Sequence, residues 1–164
     1  MDKSWLSPKA ERRGSPEKGF GIFALNRILP DEIIARWAGR VLLEGELDTA
    51  PEDCHRNCVQ IGVDEYLVPT DLTEGDYVNH CCDSNAGLKG DRELVALRII
   101  EPGEEITYDY AMTDTSTYDQ FICLCGSPLC RGEITGTDWR LPEIRERYRG
   151  YFSSYVLRLI ESER

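Results

Sequence analysis

Three cysteines crowd into CLCGSPLCRG, where a Gly-Ser-Pro turn folds the chain back so that Cys123, Cys125 and Cys130 can face one point. Thiolates so placed suit zinc. They do not close a tetrahedral structural site, so either a fourth ligand comes from elsewhere in the chain or the fourth position holds water, as in a catalytic centre. The total of seven cysteines is odd, which fits metal binding or buried thiols better than a disulfide framework. The start, MDKSWLSPKAERRGSPEKG, is polar and has no apolar stretch of the signal-peptide type. A cytoplasmic, reducing setting is therefore expected.

At 164 residues the chain fits one domain with a working core. Apolar residues make up 41% and charged residues 30%, a globular balance, and no run approaches the apolar length of a membrane span. The net charge of -11 argues against a nucleic-acid-binding surface and favours a basic partner. An acidic surface that only keeps the chain soluble accounts for the charge equally well.

Hydrophobic periodicity predicts a β-rich domain. GIFALNRIL and EIIARWAGRVLL read as strands of a meander, separated by the turn at Pro30 and Asp31. CVQI and EYLVP read as a second hairpin around Gly62, Val63 and Asp64, and LVALRII and EEITYDY as a third around Glu101, Pro102 and Gly103. Only the tail departs from this pattern. After a cap at Thr137 and Asp138, Leu141, Ile144, Tyr148 and Tyr151 recur at helical spacing, and Phe152, Tyr155, Val156, Leu159 and Ile160 continue the stripe past Gly150. Two short amphipathic helices packed on the domain are expected there.

Four blocks in order, KGFGIFAL (18–25), VNHCCDSN (78–85), GEEITYDY (103–110) and CLCGSPLC (123–130), resemble the SET-domain protein lysine methyltransferases with a post-SET zinc segment. Any one block is weak, and the specificity lies in their order and spacing. In size and helical tail the chain is most similar to the small standalone bacterial members. The resemblance implies a mainly β fold of several small sheets with a threaded loop near Asn79, followed by a short C-terminal helical extension. It divides the chain into an N-terminal polar segment (1–17), a SET catalytic domain (18–117), a post-SET zinc segment (118–132) and the helical extension (133–164).

The resemblance also implies roles. Gly19, Phe20, Gly21, Asn79, His80, Tyr110 and Leu124 would bind S-adenosylmethionine, and Cys82 would complete one structural zinc with Cys123, Cys125 and Cys130. Tyr110 would orient the amine, and Tyr108, at a position where the family carries Phe or Tyr, would limit the product to one methyl group. The implied partner is a basic protein or peptide carrying the target lysine, with no direct role for nucleic acid or membrane. Four positions depart from the family pattern: Cys81 stands for the usual Ser, Ser84 for Pro, Asp76 for Arg, and Asn57 for a Tyr near the cofactor. Trp37 replaces the aromatic of the family's E-Y-x-G pattern and keeps a flat apolar wall.

The chemistry needs these residue types. Methyl transfer from a sulfonium to an amine requires nucleophile, carbon and sulfur in line, so positioning carries most of the gain. A lysine with a pKa of about 10.4 is only about one part in a thousand neutral at physiological pH, and an apolar channel disfavours its ammonium form. Two other classes compete. One is a catalytically silent module that binds a basic peptide in the same groove. The other is a zinc hydrolase, for which the deaminase-type H-x-E and P-C-x-x-C pairing is absent. Cys54, His55 and Cys58 in DCHRNC lack an evident fourth ligand for a second metal.

Overall fold

Short runs of β-branched and aromatic residues, broken by Gly, Pro and Asp, favour strands. The computed structural model describes residues 3–15, 19–117 and 120–163 and is built mainly of them. Lys18, which opens the KGFG block, lies outside the described residues. In chain order the strands are β1 (Trp5–Leu6), β2 (Ala10–Ser15), β3 (Gly19–Ala24), β4 (Ile33–Arg36), β5 (Arg40–Leu43), β6 (Val59–Gln60), β7 (Glu65–Val68), β8 (Asn79–His80), β9 (Ala86–Lys89), β10 (Glu93–Ala96), β11 (Glu105–Tyr108), β12 (Phe121–Ile122) and β13 (Glu133–Ile134). Seven of them run β1-β4-β10-β9-β11-β3-β2 in one sheet, with β8 paired to β11 as its eighth strand; β5-β7-β6 and β12-β13 form two smaller sheets. The expected mainly β fold of several sheets is what the chain adopts.

Register places the site. β8 and β9 both run parallel to β11, with Asn79 opposite Thr107 and both His80 and Ala86 opposite Tyr108. The end of GEEITYDY therefore lies beside VNHCC. Asn85 locks that alignment, its Nδ2 donating to Glu105 O at 2.8 Å and its Oδ1 accepting from Thr107 N at 3.0 Å. One amide satisfies a donor and an acceptor of the buried strand.

Several expected pairings are corrected. GIFALNRIL and EIIARWAGRVLL do not form a meander: β3 pairs with β2 and β11, while β4 pairs with β1 and β10. The second run is two strands in different sheets. It breaks at Gly39, whose φ is 155° and where a Cβ would stand 2.1 Å from Val68 O, so only glycine lets the backbones cross. LVALRII and EEITYDY are not a hairpin either, because β9 lies between β10 and β11. The hairpin is β9-β10, closed across residues 90–92. The β6-β7 hairpin forms as expected.

Helices are few. α1 (Glu52–Arg56) precedes β6, and α2 (Pro142–Arg147) and α3 (Ser154–Ser162) close the described chain. Pro142 opens α2, a position where its missing N–H costs nothing. Ser153 caps α3 by accepting from Val156 N at 3.2 Å. Ile144, Tyr148, Phe152, Tyr155, Val156 and Ile160 are buried in the same core as β3, β9 and β11. The apolar stripe thus packs on its own domain, as its spacing predicts.

Candidate active site and thiolate cluster

Tyr110 follows β11 and opens a short 3-10 turn, Tyr110–Met112. Its backbone N–H donates to His80 Nδ1 at 3.1 Å and its hydroxyl donates to Val78 O at 3.2 Å. Backbone and ring are each anchored. Aromatic rings gather around it: Tyr108 at 4.9 Å between centroids, His80 at 5.1 Å and Phe121 at 6.0 Å, with Trp37 stacked at a tilt 5.5 Å beyond Tyr108.

Two cavities flank this group, and Tyr110 lines both. One, about 790 Å³, is walled by Asn79, His80, Phe121, Leu124 and Cys125. The other, about 460 Å³, has Trp37, Val78 and Tyr108 in its wall and the carboxylates of Glu52, Asp76 and Asp114 around it. The larger volume and its mix of aromatic, aliphatic and amide groups suit a nucleoside-sized ligand. The structure thus brings Asn79, His80, Tyr110 and Leu124 onto one cavity.

Gly19, Phe20 and Gly21 are not on that cavity's wall, but Phe20 and Gly21 are tied to it through Asn79. Asn79 Nδ2 donates to Phe20 O and to Glu105 Oε1, both at 2.8 Å. At Gly21 a Cβ would meet these same groups, 2.7 Å from Glu105 Oε1 and 2.8 Å from Asn79 Nδ2. Glycine here makes room for the Asn79 side chain. The Phe20 ring points elsewhere, edge-on to Tyr77 with the Arg12 guanidinium 4.5 Å above it.

Of the positions that depart from the family pattern, Asp76, Asn57 and Trp37 have structural explanations. Asp76 caps its own 3-10 turn, accepting from Thr73 N at 2.7 Å and Thr73 Oγ1 at 2.9 Å. Asn57 ends α1, donating to Asp53 O at 2.8 Å. Both border the smaller cavity, not the larger. Trp37 donates from Nε1 to Gly75 O at 3.0 Å, which fixes the plane of its ring.

Cys82, Cys123, Cys125 and Cys130 bring their sulfurs within 4.8 Å of one another. A tetrahedral ion about 2.3 Å from each thiolate sets sulfurs about 3.8 Å apart, and Cys82 Sγ and Cys123 Sγ are 3.8 Å apart. The donor set and its spacing fit such an ion. Cys81, one residue away, is outside the group, and no comparable group forms around Cys54, His55 and Cys58 among the described residues. Burial pushes the Cys82 thiol up and that of Cys123 up to about 11. Burial raises Cys125 too, but hydrogen bonds from the Ser127 and Cys82 backbone and the neighbouring thiols outweigh it and bring it down to about 6.

One ion pair that sequence reading missed joins the two regions. Arg131, next to Cys130, donates both Nη atoms to Asp109 at 2.6 and 2.8 Å and its Nε to Asp138 at 2.8 Å. Asp109 is fully buried, and its Oδ1 also accepts from Ala111 N at 3.1 Å. Burial works against the guanidinium charge, yet the bonds to Asp109 and Asp138 hold Arg131 above its usual range. Only the adjacency of Arg131 to the cysteines hinted at it in the sequence. The tail contributes as well: Tyr148 Oη and Arg147 Nη1 each donate to Cys82 O at 2.9 Å.

A family model described as the SET domain matches residues 19–111, more than half of the chain. The histone-lysine N-methyltransferase ash1 of Drosophila melanogaster is 28% identical over 152 residues, which cover 83% of this chain and 7% of that protein. An H3 lysine-4 specific histone-lysine N-methyltransferase of Saccharomyces cerevisiae is 31% identical over 128 residues, covering 69% of this chain and 12% of the relative. The chain therefore spans only a small part of the length of these curated relatives. A solved structure, described as the crystal structure of KRYPTONITE in complex with mCHG DNA and SAH, superposes with a TM-score of 0.60 at 22% identity, covering 78% of this chain and 29% of that one. At that identity the likeness is one of fold.

Proposed function

The chain belongs to the SET-domain family, and on that premise we propose that it is an S-adenosylmethionine-dependent protein-lysine methyltransferase. The observation that carries this reading is that Tyr110 lines both cavities. An in-line displacement needs donor and acceptor to approach one point from opposite sides. In this reading the larger cavity takes S-adenosylmethionine, held by Asn79, His80, Tyr110 and Leu124, with Gly19, Phe20 and Gly21 acting from the strand that Asn79 ties to it. The cofactor supplies an electrophilic methyl group.

The remaining steps belong to the chain's own residues. Trp37, Val78 and Tyr108 form an apolar wall against which desolvation disfavours the ammonium ion, while the carboxylates of Glu52, Asp76 and Asp114 on the same cavity draw the charged side chain in. The Tyr110 proton is committed to Val78 O, so its oxygen presents lone pairs to an amine N–H and sets the direction of attack. Segment 44–76, which builds much of the smaller cavity, carries ten carboxylates against the single Arg56. That charge supports a basic protein or peptide as substrate, in keeping with the histone-lysine names of the relatives. The grouping of four cysteines as a thiolate cluster supports a reducing, cytoplasmic setting.

The product proposed is monomethyl-lysine. Burial, with Tyr110 alongside, holds the Tyr108 phenol well above its usual range, so its hydroxyl stays protonated beside the channel. There it can hold a water in the space a methylated amine needs. With labelled S-adenosylmethionine and a histone mixture, the protein is expected to label lysine, and mass spectrometry of a good peptide should show mainly one methyl group. Tyr108→Phe removes one oxygen and should let di- and trimethyl-lysine accumulate. An unchanged product ratio in an active variant would remove Tyr108 from the channel. Peptide binding without transfer would favour the silent-module alternative.

We further propose one structural zinc on Cys82, Cys123, Cys125 and Cys130, which would pin the segment around β12 and β13 against Tyr110. Elemental analysis should give one zinc per chain, lost in Cys82→Ser and kept in Cys81→Ser. The reverse result would move the fourth ligand by one residue.

A further inference from the structure

We propose that His80 is a positioning residue that aligns Tyr110 with the thiolate cluster through the two nitrogens of one imidazole. The inference rests on the functional reading above, because it gives that reading's metal an effect on its catalytic tyrosine. His80 lies in β8, buried, with only 6% of its surface exposed. Its Nδ1 accepts the Tyr110 backbone N–H at 3.1 Å, and its Nε2 is 3.3 Å from Cys82 Sγ.

These contacts select one tautomer. A nitrogen that accepts an N–H cannot itself carry a proton, and Asp109 Oδ1, 3.8 Å from Nδ1, is already taken by Ala111 N and Arg131, so the neutral imidazole carries its proton on Nε2, toward the sulfur. A metal-bound Cys82 thiolate is the stronger acceptor for that proton, and such outer-shell bonds orient ligands and tune affinity. The same imidazole then fixes the backbone at Tyr110. A second path runs beside it: Arg131 N donates to Cys82 Sγ at 3.4 Å, while its guanidinium holds Asp109, the residue before Tyr110. Residues 109–111 are thus gripped from the cluster on both sides. The ring edge that faces Phe121, 5.5 Å between centroids, leaves His80 on the wall of the larger cavity as well.

The two nitrogens can be tested separately. Asn in place of His80 sets a carbonyl oxygen near the Nδ1 position and provides nothing at Nε2; Gln sets an N–H donor near Nε2 and no acceptor near Nδ1. His80→Asn should therefore weaken zinc, measured by chelator competition, about 10- to 100-fold, with kcat at saturating zinc reduced much less. His80→Gln should keep zinc within about threefold of wild type while kcat, at saturating cofactor, falls about tenfold or more and KM for the peptide changes little. Loss of both properties together in both variants, or of neither, would overturn the relay and leave His80 a packing residue. A third readout needs no variant: long-range 1H–15N correlation on the zinc-loaded protein should show His80 protonated at Nε2 and bare at Nδ1. A proton on Nδ1 would overturn the proposal. Zinc binding without methyl transfer in wild type would sink the functional reading while the zinc and tautomer measurements still decide the relay. A wild type that takes up no zinc overturns the zinc assignment and with it the relay, while methyl transfer still decides the functional reading.

Discussion

Arg131→Met is expected to lower stability by about 3–5 kcal/mol, because it leaves the buried carboxylates of Asp109 and Asp138 without their shared cation. Asp109 has no exposed surface and the Arg131 side chain is 12% exposed, so solvent does little to screen the loss. Methionine keeps most of the stem and its packing, which isolates the charge. The ion pair itself contributes less than its removal costs, since both partners were desolvated to make it. Replacing both, as Arg131→Met with Asp109→Asn, should therefore recover part of the stability that the single change loses. Denaturant titration of the three proteins measures this directly. A loss below about 1 kcal/mol in the single variant would show the pair to be as weak as a surface salt bridge.

Tyr110→Phe is expected to cut kcat about a hundredfold or more while cofactor affinity changes only a few-fold. Tyr110 lines both cavities, and the bond of its hydroxyl to Val78 O sets the direction in which its lone pairs face. Phenylalanine keeps the ring contacts with Tyr108, His80 and Phe121, so the wall of the larger cavity survives. What disappears is an interaction used in the transition state, which lowers kcat and kcat/KM together. Misplacement of a reacting group by about 1 Å is enough for a loss of this size. Calorimetric titration with S-adenosylmethionine and single-turnover kinetics separate the two quantities. Near-normal turnover would place the chemistry on another residue.

Local chemistry wrote several parts of this protein into its sequence. The four cysteines of the cluster, the two helices of the tail and the β6-β7 hairpin follow from turn residues and apolar spacing, or from the order of four motif blocks. Asn79, His80, Tyr110 and Leu124 came from the resemblance of the motif blocks, and the fold brings them to one cavity. Partner choice among strands was not legible. β9 reads AGLK, without a β-branched residue, yet it separates β10 from β11, because Ala86 and Leu88 fill the core. The fate of EIIARWAGRVLL likewise depended on a carbonyl at Val68 that the run itself does not contain. Strand pairing is set by what lies on both faces of a strand, and those neighbours come from elsewhere in the chain.

Charge and hydrogen bonding inside the core depend on the tertiary structure even more strongly. Asp109 and Arg131 are separated by 22 residues, and each alone reads as a surface charge. Only folding brings them together, and only burial makes the pair matter, because a charge in a medium of low polarity must find its opposite or not be there. The ring of His80 obeys the same logic: its place in the NHCC block is local, but the proton it carries is decided by the N–H of Tyr110, 30 residues on.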